Sequence, residues 1–174
     1  MKHAGPLEIE VKLRIPSVGV MRPRLVRGGF NLVQADAVET SQLWDRSGEL
    51  LAQGAALRVR QYGGRCLLTW KGPKVADPQL KIRPEVETEV ADPAAMEAIL
   101  QQLGYAPALT IVKTRSVWAR ADLEACLDQT PYGSFLELEG EPEAIREAMA
   151  QLGLGPAQIE PRSYAALYSG GRGD

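Results

Sequence analysis

Segments in which charged and apolar residues alternate recur along the whole chain, and they limit the fold more than any other feature. Residues 8–14, EIEVKLR, show the pattern most clearly. Successive side chains of a β-strand point to opposite faces, so Glu8, Glu10 and Lys12 share one face while apolar residues line the other. Neighbouring carboxylates repel each other, and a divalent cation with oxygen ligands is one group that relieves the repulsion.

The same alternation places charged residues on one face of most other predicted strands. Arg58 and Arg60 flank Val59, and Glu137 and Glu139 lie two residues apart in the same way. The predicted charged face collects eight cations and six glutamates, with Asp128 as a further candidate: Lys12, Arg58, Arg60, Lys71, Lys81, Arg83, Lys113, Arg115, Glu8, Glu10, Glu85, Glu87, Glu137 and Glu139.

Strands and helices together indicate the fold class. Strands are predicted at residues 8–14, 36–44, 56–62, 65–71, 80–90, 111–120, 122–128 and 134–140, and helices within 17–33 and at 92–103, 141–152 and 163–168. Gly63-Gly64 is a hairpin signal between two of the strands. Many antiparallel strands with a few amphipathic helices predict an α+β fold, and the number of strands favours a closed or nearly closed barrel.

Several conspicuous residues are assigned to packing rather than to chemistry. Cys66 and Cys126 form no CxxC pair and offer no disulfide framework, which suits a reducing compartment. Core packing is also the preferred interpretation of the tryptophans, Trp44, Trp70 and Trp118. Tyr164 is interpreted as structural.

Length and composition exclude several classes of function. The 174 residues suit one domain, expected at residues 1–169, with a disordered tail at 170–174. A net charge of −2 gives no sign of nucleic-acid binding. The chain has neither an apolar run of membrane-spanning length nor a secretory signal, so we expect a cytoplasmic protein without a membrane partner. Since His3 is the single histidine, histidine triads and histidine-rich zinc sites are close to excluded.

Two interpretations of the charged face stay open from spacing alone. An antiparallel sheet commonly has one solvated face, and that explains a single charged strand without any function. Pairs of cations on several strands and pairs of acids on at least three favour a binding site. If the barrel closes with the charged face inward, the charges need ionic ligands, and a polyanion with a divalent metal supplies both signs.

The charged segments resemble a known family. Glu8-Ile9-Glu10-Val11-Lys12 resembles the ExExK signature of the CYTH superfamily, the triphosphate tunnel metalloenzymes. That superfamily includes class IV adenylyl cyclases, thiamine triphosphatases and inorganic triphosphatases. The resemblance continues in order through nearly the whole chain, in the segments LRVR at 57–60, LTWKGP at 68–73, KIRPEVE at 81–87, KTR at 113–115, LD at 127–128, GSFLELE at 133–139 and RSY at 162–164.

Two departures from the family pattern affect the expected structure. Leu43-Trp44-Asp45 stands where the family often has a tyrosine-phenylalanine-aspartate-like segment. Pro84 interrupts the strand that carries Arg83 and Glu85, and because proline donates no ladder hydrogen bond, it suggests an edge or a bulge there.

The resemblance implies an eight-stranded antiparallel tunnel with flanking helices, whose lumen binds triphosphate with Mg²⁺ or Mn²⁺. The expected metal ligands are Glu8, Glu10, Glu85, Glu87, Asp128, Glu137 and Glu139. The expected triphosphate-binding residues are Lys12, Arg58, Arg60, Lys71, Lys81, Arg83, Lys113, Arg115 and Arg162. Of these residues, Glu10, Lys12, Arg58 and Arg60 are expected to take part in the reaction itself.

The resemblance leaves the reaction open. The preferred hypothesis is a hydrolase that releases orthophosphate from inorganic triphosphate or from an organic triphosphate such as thiamine triphosphate. The first alternative is a class IV adenylyl cyclase, in which the 3′-hydroxyl of ATP attacks its α-phosphorus to give cyclic AMP and pyrophosphate. The second is a module that binds polyphosphate or nucleotide without turnover. Proteins of this kind often pair, so a homodimer is a further expectation.

Overall fold

The computed structural model of the chain describes residues 6–170. Predictions for His3 and for most of the 170–174 tail lie outside these residues. The strands are β1 Leu7–Ile15, β2 Asn31–Asp45, β3 Ala56–Tyr62, β4 Arg65–Lys71, β5 Lys81–Glu89, β6 Ala106–Arg120, β7 Leu123–Thr130 and β8 Gly133–Glu139. The helices are α1 Val18–Arg27, α2 Glu49–Ala52, α3 Pro93–Gln102, α4 Pro142–Gln151 and α5 Tyr164–Tyr168.

The eight strands form a closed barrel in the order β1-β5-β4-β3-β2-β6-β7-β8, and every pairing is antiparallel. The predicted α+β fold with an eight-stranded antiparallel barrel is therefore confirmed. β2 and β6 are each 15 residues long, longer than predicted, and pair with each other through three register shifts. The short helix α2 was not predicted.

The hydrophobic core lies outside the barrel, between its wall and the helices. The apolar residues of β1, including Val11 and Leu13, join a buried cluster with Leu25 of α1 and Ile145 of α4. A smaller cluster on another part of the outer wall contains Trp44 and is covered by α3. Because the apolar faces point outward to the helices, the charged faces of the same strands point inward.

Pro84 lies where β5 changes its neighbour. Residues 81–84 of β5 pair with β1, whereas Glu85 begins the pairing with β4. The carbonyl oxygen of Pro84 still accepts a hydrogen bond of 2.8 Å from Gly72 N. Neither register shows a shift at Pro84, so the predicted alternation of Lys81, Arg83 and Glu85 continues through it.

One tryptophan prediction is wrong. Trp44 and Trp118 are buried, but Trp70 lies on the outer wall with 37% of its surface exposed. Its partner across β4 and β5, Val86, is exposed as well. Alternation alone could not reveal that this part of the wall is left open to solvent.

Within residues 6–170, no helix has both the length and the apolar character required to cross a membrane.

Candidate active site in the barrel lumen

The barrel encloses a tunnel of about 970 Å³. Its wall carries most of the charged residues that the sequence analysis singled out. Those lining the tunnel are Glu8, Glu10, Lys12, Arg58, Arg60, Lys71, Lys81, Arg83, Glu85, Glu87, Lys113, Arg115, Glu137 and Glu139. The charged face thus encloses a cavity, and the interpretation as a solvated outer face is excluded for these residues.

Three carboxylates meet on one wall of the tunnel. Glu8 and Glu10 share the inner face of β1, and Glu139 at the end of β8 is the register partner of Glu10. One oxygen from each of the three lies within 4.8 Å of the others. Carboxylate oxygens in such a group are ligands that Mg²⁺ and Mn²⁺ accept, so the residues fit a divalent cation.

Basic residues of β4 and β5 contact the same carboxylates. Lys71 Nζ lies 2.6 Å from Glu8 and 2.5 Å from Glu85, and Lys81 Nζ lies 2.7 Å from Glu10. Arg83 Nε donates to Glu8 at 3.2 Å. The side chains predicted to bind phosphate therefore also balance the charge of the predicted metal ligands.

The protonation of the three carboxylates differs because their surroundings differ. Burial raises the pKa of Glu139 to about 7, and the charges of Glu8 and Glu10 act in the same direction. Burial and the charge of Glu10 also raise the pKa of Glu8. Burial would raise the pKa of Glu10, but Lys81 and Lys71 lower it well below its usual range. Glu10 therefore stays ionised, whereas Glu8 and Glu139 hold a proton more readily than an isolated glutamate, and a bound cation would favour the ionised form of all three.

The opposite side of the tunnel carries a pair of arginines from β3. In the ring of eight strands, β3 lies four strands from β8 in either direction, so these arginines face Glu139 across the lumen. Glu87 accepts from Arg58 at 3.5 Å and from Arg60 at 3.1 Å. The Nε atoms of both arginines are buried and have no hydrogen-bond partner within residues 6–170. Buried N–H donors of this kind fit an anionic ligand.

A second pair of cations comes from β6. Lys113 Nζ donates to Asp128 at 3.0 Å, and Arg115 donates to the same carboxylate at 2.6 and 2.7 Å. Arg115 also donates to Glu137 at 2.5 Å. The two cations are held rigidly at the tunnel wall.

Asp128 is placed differently from the other predicted metal ligands. It has no exposed surface and does not line the tunnel. Its carboxylate accepts from Lys113, Arg115 and the Tyr164 hydroxyl. Since these donors occupy its oxygens, Asp128 lies behind the cations as their anchor. Glu137 likewise contacts Arg115 and lies outside the cluster of three carboxylates.

Lys12 lies between the acidic wall and the C-terminal helix. Its ammonium group donates to the carbonyl of Arg162 at 2.8 Å and lies 4.0 Å from the centre of the Tyr164 ring. Burial lowers the pKa of Lys12 to about 8, although the charge of Glu137 raises it. Tyr164 lines the tunnel and so has a larger part in the site than the sequence indicated.

The predicted phosphate-binding residue Arg162 is not among the residues that line the tunnel. Half of its side chain is exposed, and its Nε donates to Glu160 at 2.7 Å. Spacing in the sequence could not separate this position from a lumen position, because residues 161–163 belong to no strand.

Sequence reasoning missed Glu39 on β2. Its side chain lines the tunnel and is 1% exposed. Lys113 and Arg115 each lie 3.5 Å from its carboxylate. The alternation Glu39-x-Ser41-x-Leu43 was a signal for it, but only one of these three positions is charged. Cys126 was assigned to packing, and its buried thiol also borders the tunnel.

Comparisons with known proteins agree with this geometry. The chain is 30% identical over 142 residues to a Methanocaldococcus jannaschii protein that carries an adenylate cyclase name, covering 81% of each chain. A Vibrio parahaemolyticus structure with a similar name has a TM-score of 0.84 at 22% identity, covering 95% of this chain and 99% of the other.

A Hippeastrum protein with an adenylyl cyclase name, for which a dominant triphosphatase activity is described, has a TM-score of 0.69 at 20% identity. The match covers 94% of this chain and 96% of that one. At these identities the two structures support the fold. The model of the CYTH domain matches residues 6–164, nearly the whole chain. The chain therefore belongs to the CYTH domain family.

Proposed function

We propose that the protein is a divalent-metal-dependent triphosphatase that hydrolyses inorganic triphosphate or a small organic triphosphate inside the tunnel. The observation that carries the proposal is the pair of buried guanidinium N–H groups of Arg58 and Arg60, which lack a partner within residues 6–170. They face an acidic wall across a lumen wide enough for a small molecule.

In this proposal one set of tunnel residues binds phosphate oxygens and another set binds the metal. Members of the CYTH family are enzymes that act on triphosphates, generally with a metal. Here the arginines of β3 and the cations of β6 bind phosphate oxygens, since guanidinium forks and ammonium groups neutralise phosphate charge. Phosphoryl transfer needs positioning and charge neutralisation more than covalent help, and rigidly held cations provide both.

The acidic wall would hold the cation. Glu8, Glu10 and Glu139 are the proposed ligands, with Glu85 beside them through Lys71. When bound, Mg²⁺ or Mn²⁺ supplies positive charge to the phosphate oxygens. Lys71, Lys81 and Arg83 contact Glu8 or Glu10, and their side chains would be available to phosphate if these carboxylates bound a cation instead.

In the proposed reaction a water oxygen forms a bond to the terminal phosphorus and loses a proton to solvent, while the bond to the bridging oxygen breaks. The products are orthophosphate and a diphosphate. The leaving diphosphate gains negative charge, which Arg58, Arg60 and the β6 cations are placed to stabilise. The substrate is a small molecule in the cytoplasm, and the proposal requires neither nucleic acid nor a membrane.

Adenylyl cyclase activity is the second candidate, because the M. jannaschii relative carries a cyclase name. The same tunnel would then hold ATP, and its own 3′-hydroxyl would replace water as the attacking group. The Hippeastrum neighbour shows why a cyclase name alone does not decide the reaction, since a dominant triphosphatase activity is described for it.

Product analysis by phosphorus NMR tests the proposal. Inorganic triphosphate, thiamine triphosphate and ATP are each incubated with Mg²⁺ or Mn²⁺. We expect orthophosphate from at least one of them and none in EDTA. Arg58→Ala should lower kcat/KM at least roughly a hundredfold, as expected for the loss of one charged donor. Arg146→Ala, which removes an exposed arginine of α4, is the matched control.

Other products would reject the proposal in defined ways. Cyclic AMP with pyrophosphate from ATP, and no orthophosphate, would identify a cyclase. Binding of all three compounds without any product would identify a binding module.

The proposed metal ligands have a separate test. Mg²⁺ should raise the melting temperature of the wild type, because it relieves the repulsion among three carboxylates. Glu139→Gln should reduce this rise, whereas Glu143→Gln on the exposed surface of α4 should leave it unchanged. An equal Mg²⁺ effect in all three proteins would place the cation elsewhere.

A further inference from the structure

Glu39 is the most deeply buried carboxylate of the tunnel lining, with 1% of its surface exposed. It lies on β2, four strands from β1 in either direction around the barrel, and so faces the acidic wall from the far side. The proposed reaction assigns it no part. An ionised side chain at such a position requires compensating charge, since an unpaired buried charge is very costly.

The compensating charge comes from both cation pairs. Lys113 Nζ and Arg115 Nε lie 3.5 Å from the carboxylate oxygens of Glu39, and Arg60 lies 4.0 Å away. In the register of the sheet, Glu39 is directly opposite Lys113. Glu39 therefore stands between the β3 pair and the β6 pair and contacts members of each.

These contacts are ion pairs rather than hydrogen bonds. Oε1 of Glu39 accepts from the Ser41 hydroxyl at 3.1 Å, and Oε2 has no hydrogen-bond partner within residues 6–170. Asp128, in contrast, accepts hydrogen bonds from both β6 cations at 2.6–3.0 Å. Glu39 thus offsets the repulsion among the cations without occupying their N–H donors.

We propose that Glu39 is a positioning residue, whose charge holds the two cation pairs at their spacing and leaves the Nε donors of Arg58 and Arg60 available to phosphate. The inference rests on the proposed binding of triphosphate in the tunnel. It extends that proposal by assigning a role to a carboxylate that binds neither the metal nor the substrate. The same negative charge opposes the approach of phosphate. Glu39 therefore lowers the affinity of the tunnel for triphosphate while it keeps the cations that position the substrate in place.

Removal of the Glu39 charge should therefore raise the affinity for triphosphate and lower kcat, a combination that loss of a purely structural carboxylate would not produce. In Glu39→Gln the amide keeps the shape of the side chain and removes the charge. We expect the affinity for inorganic triphosphate in EDTA, measured by calorimetry, to increase roughly tenfold, since one opposing charge is lost at short range in a poorly solvated site. We expect kcat with Mg²⁺ to fall roughly tenfold or more, because the phosphates are held less accurately.

Three further variants make the test decisive. Glu147→Gln has the same change of charge on the exposed surface of α4 and should leave both quantities unchanged. Ser41→Ala removes the hydrogen bond that orients Glu39 but keeps its charge, so kcat should fall without a gain in affinity. Glu39→Asp should behave as Ser41→Ala does, so a lower kcat without a gain in affinity in these two variants tests the inference even if the glutamine variant does not fold.

Two results would overturn the inference. One is weaker or unchanged binding of triphosphate by Glu39→Gln, and the other is an unchanged kcat in all the Glu39 and Ser41 variants. If the wild type binds triphosphate without hydrolysing it, the proposed function fails. The comparison of affinities between wild type and Glu39→Gln then still decides whether Glu39 opposes binding.

Discussion

At the scale of single residues, the tunnel is a set of ion pairs whose members depend on one another. Asp128 shows this most clearly, because it is fully buried and accepts hydrogen bonds from Lys113, Arg115 and Tyr164. Burial alone would raise the pKa of Asp128, but the charges of Arg115 and Lys113 outweigh this effect and lower the pKa below its usual range. The carboxylate therefore stays ionised and balances two cations that are largely buried in the tunnel wall.

Replacing Asp128 should destabilise the protein strongly. Asp128→Asn leaves Arg115 and Lys113 without their anchoring charge, and breaking a buried ion pair in this way costs roughly 3–5 kcal/mol. Urea unfolding followed by circular dichroism measures the change. The matched control is Asp36→Asn, which breaks the exposed pair with Arg22 and should cost less than about 1 kcal/mol. Similar losses for the two variants would refute a buried network.

At the scale of elements, the end of β8 is held tightly against β1. Gly140 follows Glu139, and its N–H donates to the carbonyl of Ile9 at 3.1 Å, between Glu8 and Glu10 of the acidic wall. Its φ is +154°, and a Cβ there would lie 3.0 Å from the backbone oxygen of Asp122. Only glycine fits this connection without strain.

Gly140→Ala should therefore lower the free energy of unfolding by about 3 kcal/mol, through an unfavourable φ and a close contact with backbone. Thermal or urea unfolding measures the loss. Gly64→Ala is the comparison, because Gly64 also has a positive φ of +79° but has nothing within 4 Å of the added Cβ. It should lose only about 1 kcal/mol. If the two alanines cost the same, the close contact at Gly140 is not important.

At the scale of the whole molecule, the barrel has its polar groups inside and its core outside. The main core lies between the outer wall and α1 and α4, as its members Leu13, Leu25 and Ile145 show. Apolar burial stabilises the fold on that side, while the lumen is stable only as long as its charges balance. Stability should therefore respond to pH through the lumen.

Acid should weaken the fold through Glu39. Burial raises its pKa, but Arg115 and Lys113 lower it more, from 4.5 to about 2. A carboxyl with a lowered pKa in the folded state contributes stability that is complete above its unfolded pKa and is lost as the pH falls toward the folded one. As the pH falls from 5 to 3, the contribution of Glu39 to the free energy of unfolding should decrease by about 2 kcal/mol.

Urea unfolding at pH 5, 4 and 3 measures this loss. Glu39→Gln has no carboxyl to titrate, so its free energy of unfolding should fall less steeply with acid than that of the wild type. Parallel curves for the two proteins would mean that Glu39 is not held ionised by its neighbours.

The sequence by itself determined the strands, their charged faces and the class of fold. Alternation in segments such as 8–14 favours a strand with one charged and one apolar face, because successive side chains of a strand point to opposite faces. It also predicted most of the tunnel lining, from Glu8 to Glu139, once the resemblance to the CYTH proteins had indicated a closed barrel with the charges inside.

Only the tertiary structure decided which charges meet. It grouped Glu8 and Glu10 with Glu139, moved Asp128 behind the cations, left Arg162 out of the tunnel lining and added Glu39. The physical reason is that alternation specifies the face of a strand but not its neighbours across the lumen. Those neighbours follow from the register and closure of the barrel, which depend on contacts between residues more than a hundred positions apart, such as Glu10 and Glu139.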